Sequence, residues 1–245
     1  MNIKAIRTPR ITEESGPLTG ILDRAVKNIP EKSILVVTSK IVALCEGHID
    51  RRTDKDTLIQ REAEWYLPRQ RSKYHTMLTI KYSHLFPAAG VDHSNAAGAH
   101  VMLPKHPKKS ANAIRTYLQK RFRRQQIGVI ISDSTTRPLR WGTTGVAIAH
   151  SGFLALKDYR GTKDLFGHPM YLSQANHSDA LAAAAVAVMG EGTEQTPLAL
   201  ITKLPFVQFQ KRNPSPKEIR NLHINKRDDL YGPLLNAVRW RKGKG

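Results

Sequence analysis

Two short apolar runs constrain this chain more than any other feature. Ser33-Ile-Leu-Val-Val-Thr-Ser39 and Ile127-Gly-Val-Ile-Ile-Ser132 are rich in branched aliphatics and too brief for an ordinary helix, so each reads as a buried strand. Around them the periodicity turns helical. Pro17 suits a first helical turn, and Leu18, Ile21, Leu22, Ala25 and Ile29 follow at helical spacing. Ser110 reads as the N-cap of a helix with Ala111, Ile114, Leu118 and Phe122 on one face. Its other face carries Arg115, Lys120, Arg121 and Arg124. The plainest helix is 178–189, capped by Ser178, filled with alanines and ended by Gly190. Residues 50–75 read as a charged surface helix with loops, 77–80 and 196–201 as strands, and 234–240 as a short helix. The alternation is irregular, so a mixed α and β fold is expected rather than a specific winding.

Charge narrows the partners. Lys and Arg number 39 against 20 Asp and Glu, a formal net of +19, which favours nucleotides, phosphorylated or polycarboxylate substrates, or nucleic acid. Eight basic residues and no acidic one lie between Lys105 and Arg124; from Lys203 onward there are eleven basic and three acidic. A solvated basic face explains each patch equally well, so charge alone does not choose between an enzyme and a nucleic-acid binder. The single cysteine, Cys45, excludes an internal disulfide and a thiolate metal cluster. No run approaches the ~18 apolar residues of a membrane helix, and MNIKAIRTPRITEE lacks the apolar stretch of a signal peptide. A cytoplasmic protein is the expectation.

The familiar nucleotide and hydrolase signatures are missing: there is no GxxxxGK[ST], GxGxxG, HExxH or GxSxG. Two carboxylates stand out by position. Asp92 sits in the turn Gly90-Val91-Asp92-His93-Ser94-Asn95, and Asp133 directly follows the second apolar run, ahead of Ser134, Thr135, Thr136 and Arg137. Carboxylates at strand ends beside hydroxyls suit Mg²⁺ or Mn²⁺, which take oxygen ligands and share them with phosphates. Turn aspartates bonding their own backbone are the plainer alternative. Arg137 and Arg140, in TRPLRWG, offer guanidinium forks for phosphate or carboxylate, or simply surface charge. Ser39-Lys40 ends the first run with an ammonium, and Asp158-Tyr-Arg160-Gly and Asp164-Leu-Phe-Gly167 supply polar groups between glycines, as a binding loop would.

These segments carry a resemblance. ILVVTSKIVALCEG (34–47), AAGVDHSN (88–95), GVIISDSTTRPLRWGTTGVAIA (128–149), GFLALKDYRGTKDLFG (152–167) and DALAAAAVAVMGE (179–191) resemble, in order, the gamma-glutamyl ligases of deazaflavin coenzyme biosynthesis (coenzyme F420-0:L-glutamate ligase). The resemblance implies an α+β fold, an intertwined homodimer, GTP as energy source, and two divalent cations, Mg²⁺ or Mn²⁺. It implies a ligase domain over 1–210, with room for two subdomains, and 211–245 as a basic extension packed on or flanking it. It also implies the chemistry: an acceptor carboxylate attacks the γ-phosphate, and the amine of L-glutamate displaces phosphate from the acyl phosphate to form an amide. Carried over by position, Asp92 and Asp133 fall on the family's metal-binding aspartates, with Ser134 beside them and Glu191 as a further metal candidate. Lys40, Arg137 and Asp133 form the implied catalytic set. Ser39, Asn95, Thr135, Arg140, Arg160 and Asp164 are the implied nucleotide and substrate contacts.

The departures matter too. The family's usual Phe-Gly is Thr135-Thr136 here, an Asn is Trp141, an acidic residue is Gly145, and an Asp-Glu pair is Asp179-Ala180. TRPLRWGTTG, MGEG.EQTPLA and PFVQF resemble a side branch of folate-type gamma-glutamate ligases, so the acceptor is expected to be folate-like or coenzyme F420-0. The alternative is a non-catalytic relative that binds nucleotide or RNA through its basic surface. RNA binders interleave stacking aromatics with their cations, and the basic helix offers only Tyr117 and Phe122.

Overall fold

A computed structural model describes residues 1–245. The chain runs through β1 (Asn2–Ile6), α1 (Leu18–Ala25), β2 (Ser33–Thr38), α2 (Ser39–Cys45), β3 (Ile49–Asp50), α3 (Lys55–Glu62) and β4 (Trp65–Tyr66). It continues through β5 (Leu78–Lys81), β6 (His84–Pro87), β7 (His100–Val101), α4 (Pro107–Phe122), β8 (Ile127–Thr136) and β9 (Thr143–Ser151). It ends with β10 (Leu156–Asp158), β11 (Gln174–Asn176), α5 (His177–Met189), β12 (Leu198–Thr202), α6 (Pro216–Leu222), α7 (Gly232–Asn236) and β13 (Arg241–Lys242). The class is α+β.

The two apolar runs are the centre of the main sheet, whose order is β1-β12-β2-β8-β9. β2 and β8 are parallel, in register from Ser33↔Ile127 to Thr38↔Ser132, and the remaining pairs are antiparallel. Burial on both faces explains the unbroken apolar sequence. Leu35, Val37, Val129 and Ile131 face α1 and α4 through Leu22, Val26, Ile114 and Leu118. Ile34, Val36 and Ile130 face α5 through Leu181, Ala182, Ala185 and Met189. A parallel pair needs a crossover, and this one is long enough to hold three strands of a second, four-stranded sheet, β13-β4-β5-β6. That sheet shares a small core of Leu58, Ile59, Ala63, Met77 and Val91. The C-terminus closes it: β13 pairs with β4, Gly243 N donates to Glu64 O at 3.0 Å, and Lys226 Nζ lies 4.3 Å from the Trp65 ring centre. No helix is long and apolar enough to cross a membrane.

The alanines of α5 let it sit directly on the sheet. A Cβ at Gly145 of β9 would lie 2.5 Å from Ala182 O. Position 145 therefore has no room for the acidic side chain that the resemblance implies there. Gly145→Asp is expected to cost about 1–3 kcal/mol by overpacking, read as a lowered urea midpoint; an unchanged midpoint would show that α5 gives way freely.

Several expectations are corrected. α4 begins one turn before Ser110, because Pro107 is pre-set for the first helical position; Ser110 Oγ instead donates to Glu46 Oε1 at 2.5 Å. α5 is capped by Asn176 rather than Ser178: Asn176 Oδ1 accepts from Asp179 N at 3.1 Å and from Ser178 Oγ at 2.7 Å. Arg115 is not on an outer basic face. Only 2% exposed, it donates to Ile127 O at 3.0 Å, Asn213 Oδ1 at 3.0 Å and Gln210 O at 2.9 Å. Its guanidinium thus fastens the segment after β12 to α4 and β8. α6 was signalled by Ser-Pro-Lys-Glu, a capping box that forms between Ser215 and Glu218.

His150 of β9 is 7% exposed, against Phe153 at 5.3 Å between ring centres. Burial pulls its pKa down to about 4, with the charges of Glu218, His223, Asp179 and Lys108 adding smaller effects. The unfolded chain therefore takes up a proton that the folded chain refuses, so this stability is complete above about pH 6.5 and drains away towards pH 4. The loss is up to roughly 3 kcal/mol. Urea midpoints at pH 7 and pH 4.5 should differ less in His150→Gln than in the wild type; equal differences would remove His150 from the account.

Candidate active site

β8 runs on to Thr136, so Asp133 stands within the strand and not at its end as the sequence suggests. The carboxyl end of β2 lies beside Ser132 of β8, because the two strands are parallel and in register. In open sheets ligands gather at such ends. Thr38 passes straight into α2, which puts Ser39 and Lys40 in its first turn. Across from them the β8–β9 register slips between Ile131 and Ser132, leaving Ile148 of β9 without a partner. Such a bulge re-aims the residues beyond it, here Asp133 and Ser134. The third wall comes from the turn after β6. Asp92 is bridged to Val101 of β7, with Asp92 N donating to Val101 O at 2.9 Å.

These pieces surround a cleft of about 800 Å³. Lys40 Nζ lies 2.5 Å from Asp92 Oδ2 and donates to Ser94 O at 3.0 Å and Ser94 Oγ at 3.2 Å. Asp92 also accepts from Ser94 N at 2.8 Å, so it is a turn residue and a cleft residue at once. Burial would raise the Asp92 pKa, but the Lys40 ammonium and the Ser94 donors outweigh it and hold the carboxyl below its ordinary value. Asp133 moves the other way. Desolvation pushes it up to about 7 against the Ser134 N–H and Ser39 hydroxyl, and the Asp92 charge adds to the rise. Neighbouring carboxylates driven apart in pKa mark a candidate site on physical grounds. Glu191, just past α5, accepts from Ser134 Oγ at 3.1 Å and Thr143 Oγ1 at 3.2 Å. Asn95 Nδ2 donates to Gly192 O at 3.2 Å, which ties this loop to the Asp92 turn.

The fold thus brings together Ser39, Lys40, Asp92, Asn95, Asp133, Ser134 and Glu191 in one cleft. It places the other sequence candidates elsewhere. Thr135 is buried and donates to Leu85 O at 3.1 Å, fastening β8 to β6. Arg137 and Arg140 stand on the exposed β8–β9 turn. Arg160 is forked onto Asp158 at 2.7 Å, and Asp164 accepts from the N–H groups of Phe166 at 2.9 Å and His168 at 2.8 Å, all on the excursion between β10 and β11. Sequence reasoning missed the cleft wall built by Arg10, Glu13, Glu14, Arg51 and Glu194. No motif marks them, and only folding brings the N-terminal segment, clipped by Thr8 N to Gln195 O at 2.9 Å, to this edge.

The model of the F420-0:Gamma-glutamyl ligase family matches residues 55–203. The chain belongs to this family. It is similar to the coenzyme F420:L-glutamate ligase of Methanocaldococcus jannaschii, 32% identical over 73% of this chain and 79% of the relative. It is 42% identical to the enzyme of the same name from Methanococcus maripaludis over 51% of this chain and 50% of that relative. For Halobacterium salinarum the figures are 37%, over 50% of this chain and 47% of the relative. The chain thus spans about half the length of several curated relatives it matches. Thr135, Thr136, Trp141, Gly145 and Ala180, the positions at which the resemblance implies other residues, all lie outside the lining of the cleft. Asp179 accepts from Ala147 N at 2.9 Å and so locks α5 to β9.

Proposed function

We propose that this protein is a gamma-glutamyl ligase that uses a nucleoside triphosphate, GTP by preference, to join L-glutamate to an acceptor carboxylate through an acyl phosphate. The observation that carries the reading is the convergence of Lys40, Asp92 and Asp133 where β2 ends beside β8. Lys40 provides a point charge for phosphate, and the open, polar cleft has room for a nucleotide and a second substrate. Divalent metal fits the donor set. Asp92, Asp133, Glu191 and the hydroxyls of Ser94 and Ser134 are all hard oxygen ligands. No three of the carboxylates close into a cage, which suits an ion that takes one or two carboxylates and completes its shell with phosphate and water. When bound, Mg²⁺ or Mn²⁺ neutralises charge on the transferring phosphoryl group. The chain's own part is positioning: Ser39 and the Ser134 N–H orient Asp133, and Ser94 fixes Asp92 against Lys40.

The same reading includes a homodimer, which exposed apolar side chains support. Leu139 and Trp141 on one excursion, and Leu165, Phe166, Tyr171 and Leu172 on another, are almost fully exposed. Exposed apolar side chains of this size suit an interface, and Arg137, Arg140, Arg160 and Asp164 ride on the same two arms. In the homodimer proposed here those residues act from the arms rather than from the cleft wall of their own chain. The acceptor is a folate-like compound or coenzyme F420-0, both of which end in a carboxylate.

The test is phosphate release with L-glutamate, GTP or ATP and Mg²⁺ or Mn²⁺, against a folate, coenzyme F420-0 and no acceptor. Acceptor-dependent release, with a product heavier by one glutamate, is the expected result and names the acceptor. Release without any dependence on L-glutamate would sink the ligase reading.

A further inference from the structure

We propose that the ion pair Glu13–Arg51 on the cleft wall is the docking point for the amino-acid substrate, Arg51 taking its α-carboxylate and Glu13 its ammonium. The inference rests on the ligase reading and assigns the substrate subsite within it. Arg51 Nη2 lies 2.6 Å from Glu13 Oε1, and Arg51 Nη1 donates to Ala97 O at 3.2 Å. Both side chains stay open to the cleft, 44% and 34% exposed. An exposed pair of this kind adds little to stability, so the fold does not need it there.

Its placement is nevertheless fixed. Arg51 follows β3, whose Ile49 pairs with Val101, and Val101 is also the residue bridged to Asp92. Arg51 is thus held one residue beyond a strand that shares a partner with the phosphate end of the site. Through Ala97 O, it also grips the loop that carries Asp92 and Asn95. Glu13 is held from the other side by the 3₁₀ turn Glu13–Ser15, which is closed by a capping box between Thr12 and Ser15.

The chemistry matches a zwitterion. A free amino acid presents a carboxylate and an ammonium on one carbon, and an open Glu–Arg pair presents the complement of both. The guanidinium fork takes a carboxylate bidentately, and the freed carboxylate of Glu13 accepts the ammonium. Arg10, exposed on the same wall, supplies a second guanidinium, which suits a dicarboxylic amino acid.

The experiment is calorimetric titration of L-glutamate, and separately of glutarate, which lacks the amine. Each is titrated into the full chain with Mg²⁺ and a non-hydrolysable GTP analogue. Arg51→Gln should weaken both ligands at least tenfold. Glu13→Gln should weaken L-glutamate at least tenfold and leave glutarate within twofold, and both variants should bind the GTP analogue within twofold of the wild type. If Arg51→Gln does not fold, Arg51→Lys, which keeps the charge and loses the fork, is titrated in its place with the same expectation. Unchanged L-glutamate affinity in either variant, or an equal loss of the GTP analogue, overturns the assignment while L-glutamate-dependent phosphate release by the wild type still upholds the ligase. No L-glutamate binding by a wild type that binds the analogue overturns the assignment outright.

Discussion

Asp133→Asn is expected to lower acceptor-dependent phosphate release by roughly 10³-fold, about 4 kcal/mol of lost transition-state stabilisation, while the thermal midpoint holds level or rises. The two halves of this result have one cause. Asp133 is desolvated and faces the like charge of Asp92, so the folded chain favours its neutral form and the pKa stands at about 7. An amide of the same shape relieves that repulsion and keeps an acceptor for the Ser134 N–H and the Ser39 hydroxyl. It cannot supply the carboxylate that a phosphate-bridging cation needs. Function held at the expense of stability is the usual condition of an active site. Phosphate release and a thermal scan on the same preparation decide the matter. Wild-type release would take Asp133 out of the chemistry, and a collapsed midpoint would show that it acts through the fold.

The largest effect on stability is expected away from the cleft, at Glu62→Gln. Lys81 of β5 and Glu62 of α3 are 6% and 11% exposed at their side chains and meet at 2.6 Å between Nζ and Oε2. His48 Nε2 lies 3.7 Å from the other carboxylate oxygen, and Arg61 closes on it from the rim at 3.4 Å. Burial opposes ionisation of Glu62, and the surrounding cations reverse it, holding the carboxyl below its ordinary range. Removing the negative charge strands the Lys81 ammonium in the small core between the second sheet and α3. The cost of an uncompensated buried charge is about 3–5 kcal/mol. In urea melts the single variant should lose that amount, and Glu62→Leu with Lys81→Met should regain most of it, because a buried pair replaced whole by apolar groups is nearly neutral. A single variant with the wild-type midpoint would show that water reaches Lys81.

The pair also illustrates where sequence reading stops. Glu62 lies in a stretch, 50–75, that reads only as charged surface, Lys81 follows the strand read at 77–80, and no local pattern says that the two are buried together. Arg115 is the same lesson on α4. Its helical phase puts it with the basic residues, yet the segment at 210–213 folds over it and uses its whole fork. A charge run is a solvated face only until a distant segment covers it.

What the sequence determined by itself was whatever depends on neighbours along the chain. The unbroken aliphatic runs specified two buried strands, the alanines specified α5, and the ordered motifs specified the family and the two aspartates. Tertiary structure alone decided which candidates share a cleft. It kept Ser39, Lys40, Asp92, Asn95, Asp133, Ser134 and Glu191 together, because β2 runs parallel to β8 and ends beside Ser132, just ahead of Asp133 and Ser134. It sent Thr135 beneath the sheet, because alternation along a strand turns successive side chains to opposite faces. It put Arg137, Arg140, Arg160 and Asp164 on exposed arms, and it carried Glu13 and Arg51, which no motif marks, into the wall. The physical reason is the same throughout. Periodicity and turn chemistry act over a few residues and are written locally, whereas a site is made of side chains from segments far apart in the chain, and only the packing of the sheet fixes their distances.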